Sequence, residues 1–554
     1  MSCFKKFVYC LLILIVLFSI CSCSDKGTEK NLNNADTENN SDENIINDAE
    51  NSATDEKDEE TIRYLSNDIS LSDYINNNPV VESSYTDLNN RSMYNIDCFL
   101  DTENKVLSCK QTINYVNNTG VDLSDLALHL YPDYYSKDGM YASQLAGSIL
   151  NNNYGDITIS LVEINSNSIK FTQDNEILKF ELTSELEQNE RLDIIIEFKL
   201  TIPASSERMS FYKNTYSLVY WYPIVCYYDL NTNSWDERPY YYIGESNYGY
   251  YNDYNVNITV PKDYVVAATG VETEMQNADD GLITINAKET NVKDFVFFAS
   301  PDFKSETVEI EEITVNTYYF EGHEAVNQRV IKYLKEGISF MTKAIGKYPF
   351  KELDIVESPM SSITSMEYPT IINMSAYGND KNTEINLKTL NWLDDTIIHE
   401  MIHQWWFNVV GNNSYDEAFM DESLTVFWTN SFFEYIFGKE NPKTVYSLIS
   451  RKNYMDKASY PIIKPVDNFQ DSESYSHNLC LGYVVLEDLR KQVGNEKFID
   501  VFRKLYNDFK FTNARTQDLI NIVGEVCGNE YKEFLDNSLN KEKYDALKFY
   551  NATN

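Results

Sequence analysis

Apolar and polar residues alternate with period two along much of the chain between about Ser84 and Pro301. The stretches SMYNIDCFLDTENKVLSCKQTINYVNN, DITISLVEINSNSIKF, ILKFEL, RLDIIIEFKLTI, YNVNITVPKDYVVAATG and VKDFVFFAS are rich in Thr, Val, Ile and Tyr and are separated by turn residues. That pattern predicts an all-β domain. Beyond it the period changes. TVNTYYFEG reads as a strand, a helix follows from about Glu324 to Ile345, and FKELDIVES reads as another strand. Leu390, Leu393, Ile397, Ile398, Met401, Trp405 and Val409 then recur at helical spacing, with Gly411 placed as a C-cap. A further helix is predicted from about Asp421 to Phe437, with Gly438 behind it. An α/β lobe followed by a helical lobe accounts for this order.

The first eighty residues belong to neither part. Lys5 and Lys6 precede an apolar run from Phe7 to Ile20, too short for an ordinary membrane span and suited to the h-region of a secretory signal. Ile20-Cys21-Ser22-Cys23 resembles a bacterial lipobox with small Ser22 before the acceptor, which makes Cys23 the expected lipidation site. An uncleaved signal anchor is the rival reading. Several acyl chains on one cysteine would anchor the protein stably where a single chain would not. From Ser24 to about Ser83, Asn, Asp, Glu, Ser and Thr dominate; such a segment buries too little apolar surface to fold alone and reads as an acidic tether. The part from Asp68 to Val81 is more mixed and is a candidate for packing on the following domain.

With 554 residues, 43% of them hydrophobic, the chain has room for several domains and a large core. Its formal net charge of -40 argues against a nucleic-acid partner. Cys98 and Cys109 flank a turn at Glu103-Asn104 symmetrically and are expected to face each other, either as a disulfide or as two core thiols. No cysteine has the spacing of a zinc-ligand set.

The most specific chemistry lies in IIHEMIHQWW. Residues four apart share one face of a helix, so His399 and His403 can present both imidazoles to one metal ion, with Glu400 as a neighbouring base. A catalytic zinc takes three protein ligands and leaves a position open. Glu422, with eighteen residues between it and His403, supplies the third and completes a His₂Glu set. The alternative, a core helix carrying two satisfied histidines, does not account for that third ligand. His129 in LALHLYP and His323 in FEGHEAV need no functional role.

These residues resemble the aminopeptidase N family of zinc metallopeptidases, gluzincins in which the H-E-x-x-H pair is followed at this spacing by a glutamate. His403 to Phe407 is similar to the family's continuation of the zinc helix, and Asp421-Glu422-Ser423-Leu424 to the segment around its third ligand. Ser365-Met366-Glu367-Tyr368 resembles the family's exopeptidase signature, with Thr364 and Tyr368 where glycine and asparagine are usual. The resemblance implies one zinc per chain, a water deprotonated by Glu400, and a substrate ammonium held by Glu367 beside Met366. It also implies an N-terminal β domain followed by a thermolysin-like catalytic domain. The corresponding partition is 1–22 lipoprotein signal peptide, 23–83 tether, 84–302 β domain and 303–554 catalytic domain. The extra C-terminal helical domain of larger relatives is not expected.

The family's oxyanion-stabilising tyrosine is not where it is expected. It stands three residues before a glycine that opens a helix; here that helix is placed at Gly482, and Leu479 holds the position. Tyr475, His477 and Tyr483 lie nearby, and Tyr475 is the candidate replacement. Three readings are open. The first is a monomeric, lipid-anchored aminopeptidase on the outer face of a bacterial membrane, acting on peptides with a free N-terminus. The second is a zinc endopeptidase with the same ligands, and the third a surface binding protein that has lost efficient catalysis.

Overall fold

The computed structural model describes residues 70–78, 80, 90–145, 147–245, 247–275, 281–361, 365–375, 387–438 and 460–540. The strands form where the alternation predicts them. Asn252–Pro261 buries every second side chain along its length, as a strand with one face on a core must. An eight-stranded sheet runs in the spatial order Val271–Met275, Leu282–Val292, Asn252–Pro261, Met93–Asp101, Val106–Val116, Arg191–Thr201, Asp156–Ile164 and Asn167–Ser168. Met93–Asp101 pairs parallel with Asn252–Pro261, and the hairpin with Val106–Val116 sets Cys98 directly opposite Cys109. Both are buried free thiols. Two four-stranded sheets, one carrying Leu123–His129 and one Phe297–Ser300, and the small hairpin Tyr228–Asp229 with Ser234–Trp235 make up the rest of the β part. His129 is buried there and stacked on Tyr131, and burial pushes its pKa down to about 4, so it is a neutral core residue.

A second, five-stranded sheet opens with the hairpin Phe303–Ile310 and Ile313–Phe320, continues through Glu352–Ser358 and Ile371–Ser375, and ends on the edge strand Ser365–Tyr368. Short turns aside, the helices of the described residues are α1 (Leu71–Asn77), α2 (Glu324–Ala344), α3 (Leu387–Ile402), α4 (Leu424–Phe437), α5 (Ser472–Phe509), α6 (Thr516–Val526) and α7 (Asn529–Asn540). α2 and α3 pack closely because Gly337 has no side chain; a Cβ there would lie 2.5 Å from Met401 Cε. The apolar core runs unbroken from the β sheets into the helices.

Three sequence expectations need correction. First, α1 lies within the segment read as tether, and it docks on the helical lobe instead of on the β domain that follows it in sequence. It buries Leu71, Tyr74 and Ile75; Tyr74 OH donates to Asp500 at 3.2 Å and Arg503 Nη2 donates to Asn78 O at 2.7 Å. Second, the helix bearing the paired histidines ends at Ile402, well before Gly411. Phe407 takes φ +113°, and Val410–Gly411 pairs in parallel with Thr512–Asn513. Gly411 instead leaves room for neighbouring side chains, since a Cβ there would sit 2.4 Å from Asn513 Oδ1 and 2.6 Å from the Tyr251 hydroxyl.

Third, α5 starts at Ser472 and passes straight through Gly482. Its N-terminus is fixed by Asp471, whose side chain accepts from Ser474 N at 2.8 Å while Asp471 N donates to Ser474 Oγ at 3.2 Å. Gly482 is a contact residue: a Cβ would meet Ser423 Oγ at 2.2 Å, so the glycine lets α5 lie against the Glu422 segment. The chain breaks helical geometry further on, at Gly494 with φ +82°.

Candidate active site

α3 is held in place by its apolar face: Ile397, Ile398, Met401 and Ile402 are all fully buried. This leaves His399, Glu400 and His403 on the face toward the edge strand and the start of α4, and all three are buried as well. Just before α4, Phe419–Ser423 forms a single wide π turn, a local under-winding often found at functional sites. It delivers Glu422 to the histidines.

The three donor atoms converge. His399 Nε2 and His403 Nε2 are 3.1 Å apart, His399 Nε2 is 3.3 Å from Glu422 Oε2, and His403 Nε2 is 3.8 Å from the same oxygen. Zinc with bonds of about 2.0–2.2 Å in a tetrahedral array needs donors about 3.3–3.5 Å apart. The triangle fits. His403 Nδ1 lies 2.9 Å from Asp421 Oδ1 and 3.2 Å from both Trp406 O and Thr425 Oγ1. A proton on Nδ1 shared among these acceptors leaves the Nε2 lone pair free for a metal.

The electrostatics favour a cation at this point. Burial disfavours charge on His403, but the carboxylates of Glu367, Asp421 and Glu422 outweigh it and raise the imidazole's pKa well above its ordinary value. Burial likewise pushes the Glu422 carboxyl up, and His399, His403 and Arg208 together overcome it and hold the group below its ordinary value. Whether as proton or metal, positive charge is what the surrounding acids compensate.

Glu400 is oriented by Ser365, whose Oγ donates to Oε1 at 2.6 Å, while Oε2 is buried with no hydrogen-bond partner among the described residues. One oxygen is fixed and the other left open for a proton. Ser365 begins the edge strand, so the strand that carries Met366 and Glu367 also positions the base. Glu367 is no exposed edge acid: it is 4% exposed, and its carboxylate groups with Glu400 and His403 within 4.8 Å. Burial, followed by the negative charge of Glu400, Glu245 and Asp421, drives its pKa well up despite His403. An ammonium ion placed there would relieve that repulsion. The strand is clamped to the end of α3 by Gln404 Nε2 donating to Tyr368 O at 3.0 Å and Asn408 Nδ2 donating to Glu367 O at 3.2 Å. Met366, beside Glu367, is packed in the core.

Tyr475, the candidate replacement, lies on α5 close enough to these acids to feel their charge. Because α5 is continuous, Tyr475 and Gly482 are about two turns apart on one face, and Leu479 lies one turn from Tyr475 in the same apolar cluster. The Tyr475 hydroxyl is buried with no hydrogen-bond partner among the described residues and sits against Gly244. Burial and the charges of Glu422, Asp421, Glu245 and Glu367 push its pKa far up, so it remains a protonated donor near these carboxylates. His477 instead lies near Glu473 on its own helix, at 3.9 Å, and Tyr483 packs on Phe427. Cys23, the expected lipidation site, lies outside the described residues.

Sequence reasoning missed several contributors. Asp421 was adjacent to a predicted ligand, and its spacing from His403 could have suggested it. Ser365 carried no signal, and nor did the β-domain pair Arg208–Glu245, which is ion-paired and tied to Tyr220 OH, 2.8 Å from Glu245 Oε2. These come together only through tertiary packing.

Comparison with known proteins gives a result consistent with this geometry. Residues 328–538 match the Peptidase family M1 domain. "Probable aminopeptidase 1" of Saccharolobus solfataricus is 25% identical over 164 residues, covering 28% of this chain and 21% of that protein. "Aminopeptidase 2" of Candida albicans is 21% identical over 299 residues, covering 51% of this chain and 32% of that protein. These alignments thus span about a fifth to a third of the relatives' length. Among solved structures, the M1 zinc metallopeptidase of Deinococcus radiodurans superposes with TM-score 0.59 at 14% identity, over 82% of this chain and 95% of that one. A mutant of that protein has been solved bound to a Tyr-Ser-Ala substrate, and it superposes with TM-score 0.58 at 15% identity. The chain thus shares the fold of that metallopeptidase.

Proposed function

We propose, from the premise that this chain carries a peptidase family M1 domain, that it is a zinc aminopeptidase removing N-terminal residues from peptides. The observation that carries the reading is the grouping of buried Glu367 with Glu400 and with the metal-ligand histidine His403. A carboxylate at that place fixes a substrate ammonium one residue away from the base. Cleavage is then confined to the first peptide bond.

His399, His403 and Glu422 would hold the zinc, which when bound supplies Lewis-acid polarisation and makes a water acidic near neutral pH. The rest is done by side chains of this chain. Glu367 binds and orients the substrate amine. Glu400, steadied by Ser365, accepts the proton of the attacking water on Oε2 and returns it to the departing amine. Tyr475 donates its phenol hydrogen to the carbonyl oxygen as charge builds there. Curated relatives named aminopeptidases and a structural neighbour solved with a tripeptide support the same substrate class.

Two measurements test this assignment residue by residue. Glu367→Gln removes the charge-assisted bond to the ammonium, a loss of about 1.5–3 kcal/mol, or roughly 10- to 150-fold in kcat/KM on free-amine substrates, with zinc content unchanged. Equal activity of the variant and the parent on such substrates would favour an endopeptidase. Tyr475→Phe is expected to lower kcat about 100- to 1000-fold with little change in KM, the usual cost of one lost oxyanion donor. A variant retaining most of its kcat would mean that another group serves the oxyanion.

We further place the enzyme at the outer face of a bacterial membrane, tethered through lipidated Cys23 and its acidic linker. The support is the lipobox-like sequence after a short apolar run. Mass spectrometry of the purified N-terminus tests it; an intact, unacylated Met1 or a cleavage elsewhere contradicts it.

A further inference from the structure

Away from the zinc ligands, three acidic side chains meet where the β sheets are docked on the five-stranded sheet. Glu272 stands on Val271–Met275, the last strand of the eight-stranded sheet, and Glu352 and Asp354 on Glu352–Ser358, the middle strand of the five-stranded one. One oxygen of each lies within 4.8 Å of the others. Glu352 is 8% exposed and Asp354 1%, whereas Glu272 is partly open to solvent.

Their other contacts leave this convergence uncompensated. Glu272 Oε1 accepts from Ala268 N at 2.7 Å, and Asp354 Oδ1 accepts from Asn316 Nδ2 at 3.0 Å. Glu352 Oε1 and Asp354 Oδ2 are buried and have no hydrogen-bond partner among the described residues. Buried carboxylate oxygens without a donor are costly, and like charges this close cannot all stay ionised unless a cation joins them. Burial raises the pKa of Glu272 and of Asp354; Asp354 and Glu352 add to the rise at Glu272 and Glu352 adds to it at Asp354, while Glu272 lies within hydrogen-bonding reach of both other carboxyls and no basic side chain is among the causes.

We propose that Glu272, Glu352 and Asp354 form a second metal site, separate from the zinc centre, that takes Ca²⁺ and pins the β domain to the catalytic sheet. The donors are all oxygens, which select a hard cation over zinc. Calcium tolerates irregular carboxylate cages and can fill remaining positions with water on the open Glu272 side; magnesium demands stricter geometry. The site also lies on a short path to the zinc helix. Gly270 N donates to Thr370 Oγ1 at 2.8 Å, and Thr370 N donates to Gln404 Oε1 at 3.2 Å, next to His403.

The test uses the full chain with its zinc retained. Calcium is titrated while thermal unfolding and bound metal are followed, in the parent and in Glu272→Gln and Asp354→Asn. The expected result is a saturable rise in Tm with one calcium bound in the parent, lost in both variants while zinc content stays the same. Glu272 is partly exposed, so its variant keeps the test usable if Asp354→Asn folds poorly. Two results overturn the proposal: a parent indifferent to calcium, with Glu272→Gln more stable at neutral pH, shows carboxyls sharing protons; a calcium response undiminished in the variants puts the ion elsewhere.

Discussion

Glu400→Gln is expected to lower kcat/KM by about 100- to 10,000-fold, the range for losing a general base, with zinc content and folding unchanged. The substitution is nearly isosteric and keeps an oxygen for the 2.6 Å bond from Ser365 Oγ. What it removes is the proton-accepting capacity of Oε2, the atom the structure leaves without a partner. Neither zinc nor Tyr475 can supply that function, since one is a Lewis acid and the other a hydrogen donor. Activity of the variant within tenfold of the parent would remove Glu400 from the mechanism.

Loss of the metal should have an effect as large, and a different signature. His403→Ala deletes one of three ligands and leaves Asp421, Glu367 and Glu422 clustered without the imidazole that offsets their charge. Turnover is expected to fall to background, zinc to drop well below one per chain, and Tm to fall. Chelation of the parent should mimic the first two effects and be reversed by added zinc; the variant should not recover. The stability part follows from mass action: a ligand present at a thousand times its Kd contributes about 4 kcal/mol to the folded state. A parent that keeps full activity after its metal has been removed and shown to be absent would sink the metal-dependent reading.

How much of the molecule was legible in its sequence depended on how local each signal was. The His399, Glu400 and His403 face is a matter of helical spacing along one element, whereas Glu422 stands on the next one and followed from the chemistry of an open zinc site and its spacing from His403. The Cys98–Cys109 juxtaposition followed from the symmetry of a hairpin. Where the reading went wrong, tertiary contacts had overruled local punctuation. Gly411 and Gly482 looked like helix-terminal glycines, but each is glycine because another segment passes too close for a Cβ. The true start of α5 was written in Asp471-Ser472-Glu473-Ser474, a capping sequence less conspicuous than the glycine ten residues on. Once α5 is continuous, a tyrosine two turns before Gly482 lies near the site's carboxylates, and the search three residues back lands on the apolar Leu479 beside it. The docking of α1 was hidden by its polar surroundings: only Leu71, Tyr74 and Ile75 mark it. Arg208 and Glu245 reach the site from the β domain across a distance in sequence that no motif spans.

In the proposed function, Glu367 directs zinc-dependent chemistry to a free N-terminus. The measurement that tests it most directly compares aminoacyl reporter substrates with their N-acetylated counterparts, using the purified protein with and without a zinc chelator. Cleavage of the free-amine substrates alone is expected, abolished by the chelator and restored by zinc. Equal cleavage of acetylated and free-amine substrates would contradict it, as would a zinc-loaded protein that turns over neither.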